Sequence, residues 1–265
     1  MKINKTIVKK SMMEIIAILI SATYILLMII GGPTVLTKEK YDIIFLGDSI
    51  FGNVRDNTSI PALVEEATGK KCFNGGLGGT TAACFYGKSM TDVVESSASL
   101  CSLTQSVRTR EFNCLLSMQE IRDDGDLDYF DGVVKEISDV KFSSSEIIII
   151  EHGLNDYFFN IEIGDDNNCS KYTYYGALLS SIEDLKKACP RARIILVTPV
   201  TADEEAKKYA DAMIKAGEKK QVEVIDMYRK GVVTKENIKE STIDGTHLSE
   251  SARREYAQIL QTYIK

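Results

Sequence analysis

The 265-residue chain has the composition of a folded protein, with 44% hydrophobic and 26% charged residues. These values exclude a chain that is disordered throughout, and the length suits one main domain. The formal net charge of −6 offers no basic surface for nucleic acid, so we expect no nucleic-acid partner.

The N-terminal segment differs in composition from the rest. Residues 15–32 form an uncharged run of 18 residues that follows several lysines. As a helix this run would extend roughly 27 Å, enough to cross the hydrocarbon core of a bilayer. Lysines before such a span predict a cytoplasmic N-terminus and an exported body. We therefore expect a membrane anchor at 1–32, a tether at 33–40 and an extracytoplasmic domain at 41–265, with a cleaved signal peptide as the alternative.

Five short runs are predicted as buried strands, at 42–46, 71–74, 146–151, 193–198 and 222–226, and all but 71–74 are rich in Ile or Val. Between and after them lie stretches compatible with helices, at 60–68, 80–97, 172–189, 202–219 and 249–264. This alternation predicts an α/β fold whose central parallel sheet is covered on both faces by helices.

Residues 98–145 interrupt the alternation, and we interpret them as a partly helical insertion. Their acidic tract at 122–131 has some of the spacing of a calcium loop but lacks its glycine and its closing glutamate. No pair of cysteines has the CxxC spacing of a metal or redox site. We therefore expect neither a metal nor a cofactor. Cys101 and Cys114 are the preferred candidates for a disulfide.

Four short polar blocks stand where strands end or where the last helix begins. They read G-D-S at 47–49, N-x-G at 74–76, G-x-N-D at 153–156 and D-x-x-H at 244–247. In open α/β sheets ligands bind beyond the carboxyl ends of the strands. We therefore expect the chemistry of the protein in these blocks.

Ser49, Asp244 and His247 have the residue types of a nucleophilic triad. A serine hydroxyl attacks at neutral pH only if a base takes its proton, and the usual base is a histidine held by a carboxylate. The spacing of Asp244 and His247 allows the carboxylate to reach Nδ1 and leaves Nε2 for the serine. Taken singly, Ser49 could cap the next helix, His247 could be a surface residue before the last helix, and Asn155 and Asp156 could form a turn. Their occurrence together favours the catalytic interpretation.

In this order, the four blocks resemble the SGNH (GDSL-type) hydrolases, a family of serine esterases and lipases, from about residue 41 to the C-terminus. The resemblance implies a flavodoxin-like three-layer α/β/α sandwich and an ester-bond hydrolase. It also implies that the Ser49 N–H, the Gly76 N–H and the Asn155 side-chain amide form an oxyanion hole.

Three further residues would support this site. Asp48 precedes the predicted nucleophile, and Asp156 would brace the loop that bears Asn155. His152 lies at the same strand end, where it would either support the site or contact the substrate. These roles follow from the position of each residue beside a block.

For the reaction we expect removal of small acyl groups, acetyl first among them, from a carbohydrate or a cell-envelope glycan. A lipase, lysophospholipase or thioesterase is an alternative within the family, and a lipid esterase would need an apolar groove, for which 98–145 is the candidate. A glycan O-acyltransferase and a glycan-binding relative without catalysis are further alternatives. The oligomeric state is not predicted.

Overall fold

The computed structural model describes residues 38–84, 98–117 and 132–264. Within these ranges a single sheet contains β1 (Ile43–Gly47), β2 (Cys72–Gly76), β3 (Ile147–Glu151), β4 (Arg193–Val197) and β5 (Glu223–Ile225). The order is β2-β1-β3-β4-β5, and every neighbouring pair is parallel. This is the flavodoxin-like order, in which the direction of winding changes between β1 and β3. The predicted parallel α/β sheet is confirmed.

Four of the helices that accompany the sheet begin at a serine or threonine cap. Ser59, Ser99, Thr173 and Ser249 each accept a hydrogen bond from a backbone N–H in the first turn of the helix that follows. The helices are α1 (Ser49–Gly52), α2 (Ile60–Thr68), α3 (Leu100–Thr109), α4 (Val133–Asp139), α5 (Leu154–Phe158), α6 (Tyr174–Ala188), α7 (Lys207–Lys220), α8 (Met227–Lys230), α9 (Ile238–Ser241) and α10 (Glu250–Gln261). Short 3₁₀ helices lie at Phe142–Ser144 and Glu204–Ala206.

Two hydrophobic cores lie on the two faces of the sheet because successive side chains of a strand point in opposite directions. One core, which also takes in residues of α3, α4, α6 and α7, contains Ile44, Leu46, Ile148 and Ile150. The other, which takes in residues of α1, α2 and α10, contains Ile43, Phe45, Ile147 and Ile149. Burial on both faces explains why β1 and the first four residues of β3 carry no polar side chain.

One expectation for the middle of the chain needs correction, and another gains detail. The described part of 98–145 is partly helical, as expected, and Leu100 and Leu103 of α3 and Val134 of α4 are buried in the first core. Residues 80–84, predicted as the start of a helix, form an irregular loop, and the rest of that predicted helix lies outside the described residues.

The proposed disulfide is also wrong. Cys101 is buried and Cys114 is exposed, and all six cysteines, which lie within the described residues, are free. The apolar surroundings of Cys101 within the core explain its burial.

The predicted anchor at 1–32 and the acidic tract at 122–131 lie outside the described residues. None of the helices within the described ranges is long and apolar enough to cross a membrane.

Candidate active site

The segments that follow β1, β2 and β3 leave the sheet at one edge. Gly47, the last residue of β1, pairs in register with Gly76 of β2 and with Glu151 of β3. Ser49 therefore begins α1 close to the start of α5, which carries Asn155. The site lies where the winding of the sheet changes direction, the usual position of a ligand site in this architecture.

Ser49, His247 and Asp244 are joined by hydrogen bonds. His247 Nε2 lies 3.0 Å from Ser49 Oγ, and His247 Nδ1 lies 2.6 Å from Asp244 Oδ2. The structure thus brings together the three residues predicted as a triad, although 198 positions separate the serine from the histidine. In this arrangement the imidazole can take the serine proton at Nε2 while the carboxylate holds Nδ1–H.

A tight turn places Asp244 beside His247. Asp244 Oδ1 accepts hydrogen bonds from the N–H groups of Thr246, at 3.0 Å, and His247, at 2.8 Å. Gly245 has φ +91°, a conformation that residues with a side chain rarely adopt. Burial alone would raise the pKa of Asp244, but hydrogen bonds from the His247 ring and from both N–H groups lower it to about 2. The carboxylate is therefore charged at any pH at which the protein would work.

Two of the three predicted oxyanion donors are the backbone N–H of Ser49 and the side-chain amide of Asn155. The Ser49 N–H, at the start of α1, has no acceptor among the described residues. Asn155 Nδ2 donates to the Thr80 carbonyl at 3.0 Å and to Asp48 Oδ2 at 3.3 Å. The longer of these bonds is the weaker, so this N–H is the one that an oxyanion could share.

Gly76 serves a different purpose from the predicted one. Its N–H donates to Asn74 Oδ1 at 3.1 Å and is therefore already engaged. A Cβ at this position would lie 2.6 Å from the backbone nitrogen of Gly52 in α1. Glycine is required because the end of β2 and the helix that begins with Ser49 pack backbone to backbone. Asn74 strengthens this contact by donating to the Phe51 carbonyl at 2.8 Å.

The glycine-rich loop continues beyond β2 and offers another donor. Gly79 has φ +74°, and its N–H has no partner among the described residues. It directly precedes Thr80, whose carbonyl accepts the Asn155 amide. Spacing from Asn74 alone did not reveal this residue, whereas the glycine pair at 78 and 79 could have drawn attention to it.

Comparison with known families is consistent with this geometry. Residues 43–260 match the model of the family described as GDSL-like lipase/acylhydrolase. The chain belongs to this family. It is accordingly an ester-bond hydrolase, and the family predicted from its four blocks is confirmed. No curated protein matches the sequence.

Solved structures with low identity share the fold of this GDSL-type hydrolase. A protein from Lactobacillus plantarum superposes with a TM-score of 0.59 at 16% identity, covering 85% of this chain and 97% of its own. A protein from Chitinophaga pinensis described as a possible lipase superposes with a TM-score of 0.54 at 15% identity. The match covers 84% of this chain and 96% of the other. A protein from Bacteroides ovatus, named as a GDSL-like lipase, superposes with a TM-score of 0.54 at 12% identity. The match covers 85% of this chain and 99% of the other. At these identities the likeness concerns the fold alone.

In this GDSL-type hydrolase, Asp156 ties α5 to the loop after β2. Its buried carboxyl oxygens accept hydrogen bonds from the N–H groups of Ala82, at 2.8 Å, and Ala83, at 3.1 Å. Burial raises the pKa of Asp156 to about 7, because the two N–H groups only partly compensate for the loss of water. The carboxyl thus braces the loop that carries Gly79 and Thr80.

His152 lies behind the site and is not part of the triad. It is buried, and its ring hydrogen-bonds to the backbone of Thr80 while Nδ1 has no partner among the described residues. Burial lowers the pKa of His152 to about 3, so the ring is neutral. Thr80 O therefore has two neighbours from the segment after β3, the ring of His152 and the amide of Asn155.

Sequence reasoning missed Glu151, the last residue of β3. It is completely buried beside Asp48, although glutamate is almost never buried without a partner. The signal was present in the sequence, since this carboxyl ends a run of four isoleucines in the strand predicted at 146–151.

Proposed function

We propose that the protein is a serine esterase in which Ser49 is the nucleophile, His247 the general base and Asp244 the residue that orients the imidazole. The observation that carries the proposal is the pair of contacts at His247, 3.0 Å to Ser49 Oγ and 2.6 Å to Asp244 Oδ2. Neither contact alone would activate the hydroxyl, because the base must both reach the proton and be held in the correct tautomer.

In the proposed reaction Ser49 Oγ attacks the ester carbonyl carbon while His247 Nε2 takes the hydroxyl proton. The tetrahedral oxyanion is met by the Ser49 N–H, the Asn155 amide and the Gly79 N–H, each able to contribute about 3 kcal/mol. The intermediate collapses and expels the alcohol, which receives its proton from His247. Water, deprotonated by the same ring, then attacks the acyl-serine and releases the acid.

For the substrate we propose a small acyl ester, with an O-acetylated glycan as the preferred class. The support comes from residues 98–145, the segment that would have to supply a groove for a long acyl chain. In its described part, Leu100, Leu103 and Val107 are buried in the core rather than exposed beside Ser49. A long acyl chain would need apolar surface that these side chains do not offer.

For location we propose that the catalytic domain is extracytoplasmic and is held at the membrane by residues 15–32. The support is the uncharged run of 18 residues after several lysines. In cells that express the full chain, the protein should remain with the membrane fraction after a high-salt wash, and protease added outside should digest the domain. Recovery of the full-length protein in the cytosol would contradict this proposal.

The reaction is tested with p-nitrophenyl acetate and p-nitrophenyl palmitate. Ser49→Ala and His247→Ala should each lower acetate-ester hydrolysis by roughly 10⁴-fold or more. Ser143→Ala, at an exposed position, and His152→Ala, at the only other histidine, should keep most of it. Full activity of Ser49→Ala would refute the mechanism. Faster turnover of the palmitate ester would instead favour the lipase alternative, and release of acetate from isolated envelope polysaccharide would support the glycan.

A further inference from the structure

Two carboxyl groups lie against each other at the ends of the two central strands. Asp48 directly follows Gly47, which pairs in register with Glu151. Both side chains are fully buried. The two carboxyl groups are within hydrogen-bonding reach of one another.

The donors around the pair are unevenly distributed. Asp48 Oδ1 accepts the N–H of Ile50 at 2.9 Å, and Oδ2 accepts the Asn155 amide at 3.3 Å. Neither carboxyl oxygen of Glu151 has a hydrogen-bond donor among the described residues. The group within hydrogen-bonding reach of Glu151 is Asp48, which is another carboxyl, and two carboxyls hydrogen-bond only if one of them holds a proton.

The neighbouring groups cannot neutralise two charges. Asp156 of α5 adds a third carboxyl, and the tyrosine hydroxyls of α6 and α10, from Tyr174 and Tyr256, lie close to the pair. The one basic group that acts on the pair, among the described residues, is the imidazole of His247. Two buried carboxylates in contact would repel one another and lack water, which together cost several kcal/mol.

The pKa values agree with this distribution. Burial, followed by the charge of Asp48, raises the pKa of Glu151 well above its ordinary value. Burial also raises the pKa of Asp48, to about 6, although its N–H donor and the contact with Glu151 oppose the rise. At neutral pH the pair holds one proton.

We propose that Glu151 keeps this proton and donates a hydrogen bond to Asp48, and that the pair positions the catalytic residues. A charged Asp48 accepts the Ile50 N–H and the Asn155 amide, so its carboxylate fixes both the turn that presents Ser49 and the side chain proposed to bind the oxyanion. Glu151 is the neutral donor that allows this charge to be buried. Asp48 and Glu151 are positioning residues and do not touch the substrate. Their effect on hydrolysis rests on the proposed function, whereas the shared proton does not.

Infrared difference spectra test the shared proton directly. At neutral pH, the wild-type spectrum minus that of Glu151→Gln should show the carbonyl band of a protonated carboxyl group. The matched control is Glu146→Gln, just before the same strand, where an exposed carboxylate pairs with Lys70 at 2.6 Å; its difference spectrum should show carboxylate bands only. Loss of carboxylate bands in Glu151→Gln would overturn the proposal, as would failure of this variant to fold.

Catalysis supplies the second readout. Glutamine retains a neutral donor and leucine does not, so Glu151→Gln should have a kcat at least about tenfold higher than Glu151→Leu, the ratio expected for one buried hydrogen bond to a charge. Equal kcat values would overturn the positioning role. Repeating the spectra in a Ser49→Ala background separates the two proposals, because the proton band should persist there whether or not Ser49 is the nucleophile.

Discussion

His247 Nε2, in the loop before α10, lies 3.0 Å from Ser49 Oγ at the start of α1. Each residue is held by its own local structure, the serine by the capped turn of Asp48 and the histidine by the turn of Asp244. The contact therefore depends on how α1 and α10 pack on one face of the sheet, where Phe51 and Tyr256 meet edge to face at 6.1 Å between ring centroids.

Asp244→Asn tests the third member of the proposed triad. The amide cannot hold Nδ1–H as a carboxylate does, so kcat should fall by roughly 10²- to 10⁴-fold at neutral pH, with the fold intact. The measurement is hydrolysis of p-nitrophenyl acetate beside circular dichroism. Asp139→Asn, at a surface ion pair with Lys135, makes the same change in charge and should leave kcat near the wild-type value. A similar kcat for both variants would contradict the assignment.

Asn155→Ala tests the oxyanion donor. Removal of an amide that acts mainly in the transition state should lower kcat by roughly 10²-fold and change KM little. The exposed Asn113→Ala is the control. If KM rose while kcat stayed the same, the amide would bind the substrate in its ground state instead, and the proposed role would be wrong.

Asp156→Asn tests the raised pKa of the loop carboxyl. The pKa of Asp156 in the folded protein, about 7, exceeds the ordinary value of 3.8. At pH values between these two, the native protein holds a proton that the unfolded chain has lost. Wild-type stability relative to the variant should therefore fall as the pH rises from about 4 to about 7 and stay level above that range. Neutral His152, with its pKa lowered to about 3, contributes the opposite slope in both proteins and cancels in the comparison.

Urea unfolding across this pH range provides the measurement for Asp156. The same series on Asp139→Asn, which changes an exposed carboxyl group, serves as the control. A stability difference between wild type and Asp156→Asn that is constant, or that grows in favour of the wild type, would contradict the burial argument.

Cys84 should be the thiol that reacts under mildly acidic conditions. A hydrogen bond from Cys101, with smaller contributions from the hydroxyls of Ser99 and Ser102, lowers the pKa of Cys84 to about 5 against the opposing effect of burial. Because the thiolate is the reactive form, labelling of Cys84 by iodoacetamide relative to Cys72, whose pKa burial raises to about 12, should increase as the pH is lowered.

Peptide mass spectrometry after timed labelling gives this ratio. Cys101→Ala removes the donor and should abolish most of the selectivity, whereas Cys189→Ala, at a buried cysteine elsewhere, should leave it unchanged. A ratio that does not vary with pH would show that Cys84 is an ordinary thiol.

Much of the fold could be predicted because its causes are local. The apolar runs of β1 and β3 are buried on both faces, and the predicted strands agree with the structure to within two residues. How the segment 98–145 packs could not be predicted, for the opposite reason. The burial of Leu100 and Val134 depends on contacts with distant strands, which no short-range pattern reports.

The candidate site, like the fold, could be predicted from the sequence only in part. The residue types and spacing of Ser49, Asn155, Asp244 and His247 predicted which side chains to consider, because nucleophile, base, acid and amide each have a recognisable chemistry. Tertiary structure decided how they are used: it engaged the Gly76 N–H with Asn74 and placed Glu151 against Asp48. Hydrogen-bond partners and burial are properties of the assembled chain, in which residues far apart in sequence share one water-free space, so only the fold could determine them.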